Sequence, residues 1–177
     1  MADSLEIEAW IPGSSPEIQM LWLSNAYSEA AEILCNALVE NQFTRQYQST
    51  RVVLHLCRHS AELFFKGAIA HASKAPAPTH HDLAKLHEEY TNYYPSEKHM
   101  IHLPFSAQVL DAEPGLFPGS LEAFRRTHDQ RYRYITDKSG KAFELEAFDA
   151  ANAQTAIDLF HHEIGMMVAR ITFGGTW

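Results

Sequence analysis

Apolar and polar positions alternate along the chain with a helical rather than a strand period. The clearest case is the C-terminal run, where Ala153, Ile157, Phe160, Ile164, Met167, Val168 and Ile171 recur at spacings of three and four. Asp149 stands where a helix cap belongs, and Gly174-Gly175 stands where a helix should stop. Near the start, Ser15-Pro16-Glu17 offers a capping hydroxyl, a proline at the first helical position and a carboxylate at the positive helix end. A helix is therefore predicted from there to about Asn41. A second is predicted from Ser49 or Thr50 to about Ser73, closed by Pro76-Ala77-Pro78. A third opens at Thr79-His80-His81-Asp82, which reads as a capping box, and ends at Tyr94 because Pro95 disfavours helical geometry before it.

The remaining segments are less regular. Residues 1–14 form an N-terminal extension, and 95–119 read as an irregular connection rich in proline. Ser120 can cap a short helix to about Gln130. Two strand-like runs, Arg131 to Thr136 and Lys141 to Glu146, flank Ser139-Gly140 and predict a small β-hairpin near 131–146. No repeat or linker divides the 177 residues. The expected fold is one all-α, up-and-down bundle of four or five helices carrying that hairpin.

The second predicted helix is the most informative. At about 100° per residue, Val52, Val53, Leu54, Leu56, Cys57, Ala61, Leu63, Phe64, Phe65 and Ala68 fill more than half of its circumference, which marks a central helix. The other arc gathers Arg51, His55, Arg58, His59, Glu62 and Lys66 into a narrow polar stripe. Two readings follow. Glu62 and Lys66 form an i, i+4 pair on a solvated edge, or the stripe is a cationic groove suited to a phosphate group.

Composition adjusts this picture modestly. The chain is 46% hydrophobic and 20% charged, as expected of a single globular domain with a substantial core. No stretch reaches eighteen apolar residues and the N-terminus lacks the pattern of a secretory signal, so a cytoplasmic protein without a membrane span is expected. Cys35 and Cys57 lie within helical patterns and are expected to be reduced packing residues. A net charge of -8 argues against indiscriminate nucleic-acid binding. The charge is unevenly spread, however. Residues 1–44 hold seven acidic side chains and no Lys or Arg, whereas 45–74 hold five basic and one acidic, and 125–141 six basic and two acidic.

Three short segments carry a resemblance. Glu62-Leu63-Phe64-Phe65-Lys66-Gly67-Ala68, then Thr79-His80-His81-Asp82-Leu83 with Leu86, and later Arg133-Tyr134 resemble, in order and spacing, the HEPN superfamily of small helical domains. The resemblance implies an up-and-down helical bundle, frequently dimeric, in a superfamily associated with RNA cleavage, nucleotide binding, toxin-antitoxin pairs and defence. It marks Glu62, Lys66, Thr79, His81, Asp82 and Tyr134 as motif residues. Ribonucleases of the superfamily carry an arginine followed after four to six residues by a histidine. Here Arg51 precedes His55 with three residues between, and Arg125 precedes His128 with two. No catalytic residue is therefore assigned, and Arg51 and His55 stand as candidates for charge stabilisation and proton transfer if RNA is cleaved.

The leading expectation is a homodimer that binds nucleotide or RNA phosphate through Arg51, His55, Arg58, Lys66 and Arg133. The competing one is a non-catalytic module that dimerises or meets a partner protein, with the stripe as an internal salt-bridge network. A third is a metal site built on His55, His59 and Glu62 with help from His161, His162 or Glu163. Arg58 and Lys66 on the same stripe oppose a cation, so neither a metal nor a cofactor is expected.

Overall fold

The computed structural model describes residues 14–42, 46–104, 136, 139–142 and 149–174. Within them lie four α-helices: α1 (Pro16–Val39), α2 (Gln46–Ser73), α3 (Leu83–Tyr93) and α4 (Ala150–Phe173). A single 3-10 turn, Glu97–His99, follows α3. The all-α bundle that the periodicity predicts is the observed class. The short helix near 120–130 falls outside the described residues. Of the hairpin near 131–146, one antiparallel bridge between Thr136 and Ala142 is described, with Gly140 at φ 82° in the turn.

Local signals explain most boundaries. Asp149 accepts a hydrogen bond from the Asn152 amide, and Gly174 takes the left-handed conformation at φ 63° that ends α4. Asn41, also left-handed at φ 56°, follows the end of α1. Two caps differ from expectation. The Ser15 hydroxyl makes no capping bond and turns to the Glu17 carboxylate. At α3 the cap is Asp82, not Thr79: its carboxylate accepts from the Ala84 and Lys85 amides, so the helix begins three residues later than the motif suggests.

The core forms where these helices meet. α1 buries Leu21, Ser24, Ser28, Ala31, Cys35 and Leu38, a seam of three- and four-residue steps dominated by small side chains. Small residues let α2 approach closely, and the Ser60 hydroxyl donates to the Ser24 carbonyl at 2.7 Å. Gly67 marks the tightest point. A Cβ there would lie 2.9 Å from the Glu17 carbonyl oxygen and 3.0 Å from Leu21 Cγ. Gly67→Ala is accordingly expected to push α1 from α2 and cost about 1–3 kcal/mol in a urea unfolding experiment, despite alanine's better helix propensity.

α1 pairs antiparallel with both of its long neighbours. Tyr27 meets His59 and Leu21 meets Gly67 on α2, while Trp22 meets Phe173 and Ser28 meets His161 on α4. The alternation of directions breaks at α3. Phe65 packs on His87, Phe64 on Tyr90, and the Tyr94 hydroxyl donates to the Ala68 carbonyl, so positions on α2 and α3 rise together. α3 therefore runs in the same direction as α2, and the connection 74–82 doubles back along it.

Both cysteines are buried and unpaired by disulfide. Burial pushes the Cys35 thiol up to about 11 and the Cys57 thiol higher still, which leaves both as thiols that pack rather than react. Val52, placed on the apolar arc by its position, is 47% exposed.

Candidate polar site on the central helix

The stripe on α2 divides into two parts. In its N-terminal part Arg51, His55 and His59 are half-buried. The His55 and His59 rings stack with centroids 5.8 Å apart, and Tyr27 of α1 meets His59 edge-on at 4.7 Å. One helical turn further on, Arg58, Glu62 and Lys66 are 3%, 5% and 9% exposed, so the pair expected on a solvated edge is in the interior.

Burial of three formal charges demands partners, and the geometry supplies them. Arg58 Nη1 donates to Glu62 Oε2 at 2.8 Å, and Lys66 Nζ donates to Glu62 Oε1 at 3.0 Å. His81 Nδ1 lies 2.7 Å from the same Oε1. The second nitrogen of the Arg58 guanidinium donates to the His81 carbonyl at 2.7 Å. One arginine thus bridges a carboxylate on its own helix and the backbone of the returning connection. Burial alone pushes the Glu62 carboxyl up, but Arg58, Lys66 and His81 outweigh it and hold the group at about 2.

The network explains the reversed chain direction of α3. A connection that runs back along α2 turns some of its backbone groups toward that helix, and a carbonyl covered there without a donor costs about 1–3 kcal/mol. Arg58 satisfies the His81 carbonyl and Glu62 takes its ring, so residue 81 is fixed against α2 through main chain and side chain together. Asp82, the next residue, caps α3. Thr79 cannot share that role, because the chain at His81 is committed to α2 before the helix begins.

Of the residues expected to form a phosphate groove, Arg51, His55, Arg58 and Lys66 do share the stripe, but Arg58 and Lys66 spend their charge on Glu62. Arg133 and Tyr134 lie outside the described residues, as does His128. His161 and Glu163, expected as auxiliary metal ligands, are engaged elsewhere: His161 Nδ1 is 2.9 Å from the Ser28 hydroxyl, and Glu163 accepts from the amide and lies 2.7 Å from Nδ1 of His102. Among the described residues no three His, Cys, Asp or Glu side chains converge to hold a metal ion.

A second arrangement escaped the sequence reading. Asn25 and Glu32 on α1 face Asp158, His161 and His162 on α4 across a shallow cleft of about 390 Å³, and the buried Ser28 reaches His161 directly. The Ser28 hydroxyl donates to the Asn25 carbonyl at 2.8 Å. Its other neighbour is His161 Nδ1 at 2.9 Å, whose ring turns Nε2 toward Glu32 at 3.6 Å. A fully buried serine with its proton already committed is a structural hydroxyl and not a nucleophile. The signal available in sequence was only spacing: Asn25, Glu29 and Glu32 lie on one face of α1.

No helix of the described residues is long and apolar enough to cross a membrane. No family model, no curated protein and no solved structure matches the chain.

Proposed function

We propose that this domain is a non-catalytic helical interaction module whose polar stripe is an internal lock. The observation that carries the reading is the saturation of Arg58 by Glu62 and the His81 carbonyl, with Arg58, Glu62 and Lys66 all buried. A phosphate at that position would have to displace Glu62 from both of its cations. The coupling of Glu62, Lys66 and His81 gives the E-x-x-x-K and T-H-H-D-L segments a common structural role.

A phosphate-binding reading has one specific observation in its favour. The lock contains two fixed cations and one carboxylate, so it leaves a formal positive charge on α2, one turn from Arg51 and His55. Retention of RNA and of nucleoside triphosphates on the purified protein separates the two readings. The module reading expects no binding that weakens with salt between 50 and 200 mM, a window in which several phosphate contacts cost about 10³-fold or more in affinity. Salt-sensitive retention that Arg51→Ala abolishes without loss of thermal stability overturns it in favour of the phosphate ligand.

A further inference from the structure

The outer face of the α1–α4 pair combines three features that the core and the lock leave unexplained. The first is apolar exposure. Eight large apolar side chains stand exposed among the described residues, and five of them, Leu23, Ile33, Leu159, Met166 and Phe173, lie on these two helices. On α1 they continue as Leu23, Ala26, Ala30 and Ile33, all exposed and spaced by three and four. On α4 the three are spaced by seven. The small Ala26 and Ala30 leave room for the backbone of another helix, and an exposed apolar face of this kind marks an interaction surface.

The second feature is charge. The cleft between the helices is lined by Asn25, Glu32, Asp158, His161 and His162, with no Lys or Arg. The whole of α1 contains Glu17, Glu29 and Glu32 and no Lys or Arg. The third is unmet hydrogen-bonding capacity. Asn25 Oδ1 and Asp158 Oδ1 are both shut from solvent with no hydrogen-bond partner. Those two atoms are out of a ligand's reach, and it is the Glu32 and Asp158 carboxylates, in a cleft lined by no Lys or Arg, that suit a donor-rich cation. From the same face a second copy of this chain brings one fixed cation, Arg170 of α4, and that guanidinium already donates to the Lys98 carbonyl.

We propose that the outer α1–α4 face is a docking groove for an amphipathic helix of a partner protein, one bearing a lysine or arginine flanked by apolar residues. The cationic head enters the cleft to meet the Glu32 and Asp158 carboxylates, and the flanking apolar residues cover Ile33 and Met166. This is helix-in-groove recognition with a buried basic anchor at its centre. The proposal rests on the interaction-module reading and names the class of partner.

The probe is a phage-displayed library of sixteen-residue helical peptides randomised along one face and panned against the full chain. Enriched peptides are expected to converge on one Lys or Arg with apolar residues three or four positions away. Binding of the best peptide is expected to fall at least tenfold with Ile33→Glu, with the Glu32→Gln/Asp158→Asn pair, and with norleucine in place of its basic residue. Thermal melts of the two variants establish that they remain folded. Peptides without a basic residue, undiminished binding to both variants, or no enrichment over an unrelated helical protein overturns the proposal. A dimer in sedimentation equilibrium that Ile33→Glu abolishes also overturns it, in favour of self-association. Salt-sensitive RNA retention would instead defeat the module reading while a successful selection left the groove standing.

Discussion

Glu62→Ala is expected to lower stability by about 3–5 kcal/mol, the cost of stranding buried partners of an ion pair. In urea this appears as a large fall in midpoint with little change in slope. The cause is specific: alanine leaves Arg58 and Lys66 in the interior with no carboxylate, and releases the His81 ring. Replacing all three charges together, as Arg58→Met, Glu62→Leu and Lys66→Met, should cost much less than Glu62→Ala alone, since it removes the desolvation penalty along with the attraction. The difference measures how far the lock serves the placement of the 74–82 connection rather than total stability.

The same carboxyl makes a pH prediction with a definite sign. Its folded value of about 2 lies below its ordinary 4.5, so it contributes stability that is fully present above 4.5 and is lost as pH falls toward 2. The difference corresponds to about 3 kcal/mol. Glu62→Gln should therefore be less stable than the parent at neutral pH, and its stability should decline less between pH 4.5 and 2. Equal acid sensitivity in the two proteins would place the linkage on other carboxyls.

The contrast between what the sequence revealed and what it concealed follows from the range of each interaction. The last helix was legible from cap to stop because Asp149, the apolar stripe and Gly174 act within a few residues of one another. The i, i+4 spacing of Glu62 and Lys66 was equally legible, yet it carries no information about depth, and the same spacing serves a wet edge or a buried lock. Depth came from the returning connection, which spacing alone could not place. A proline-bearing segment of nine residues, 74–82, can turn α3 antiparallel or lead it back along α2. The choice is made by Arg58 and the His81 carbonyl, residues 23 apart. Val52 illustrates the complementary blindness, since an apolar residue at helical spacing reads as core whether or not a neighbour covers it, and this one is 47% exposed.

The aromatic layer between α2 and α3 gives the other large effect, because it clasps the short helix that the lock delivers. Phe64 is fully buried and lies edge-on to Tyr90 at 5.4 Å and to Phe65 at 5.8 Å. Tyr90 stacks on Tyr94 at 5.1 Å and donates its hydroxyl to the His99 carbonyl at 2.7 Å, so the layer reaches the turn beyond α3. α3 has only eleven residues and would not persist alone in water, so its helicity depends on this packing. Phe64→Ala should cost about 3–5 kcal/mol through lost burial and the cavity left behind. Phe64→Leu, which keeps much of the volume but not the ring, should cost less. The diagnostic readout is amide hydrogen exchange. If the layer holds α3, Phe64→Ala at low temperature should speed exchange throughout 84–94 more than in α1 or α4. Uniform acceleration across all four helices would show instead that α3 opens only with the whole domain.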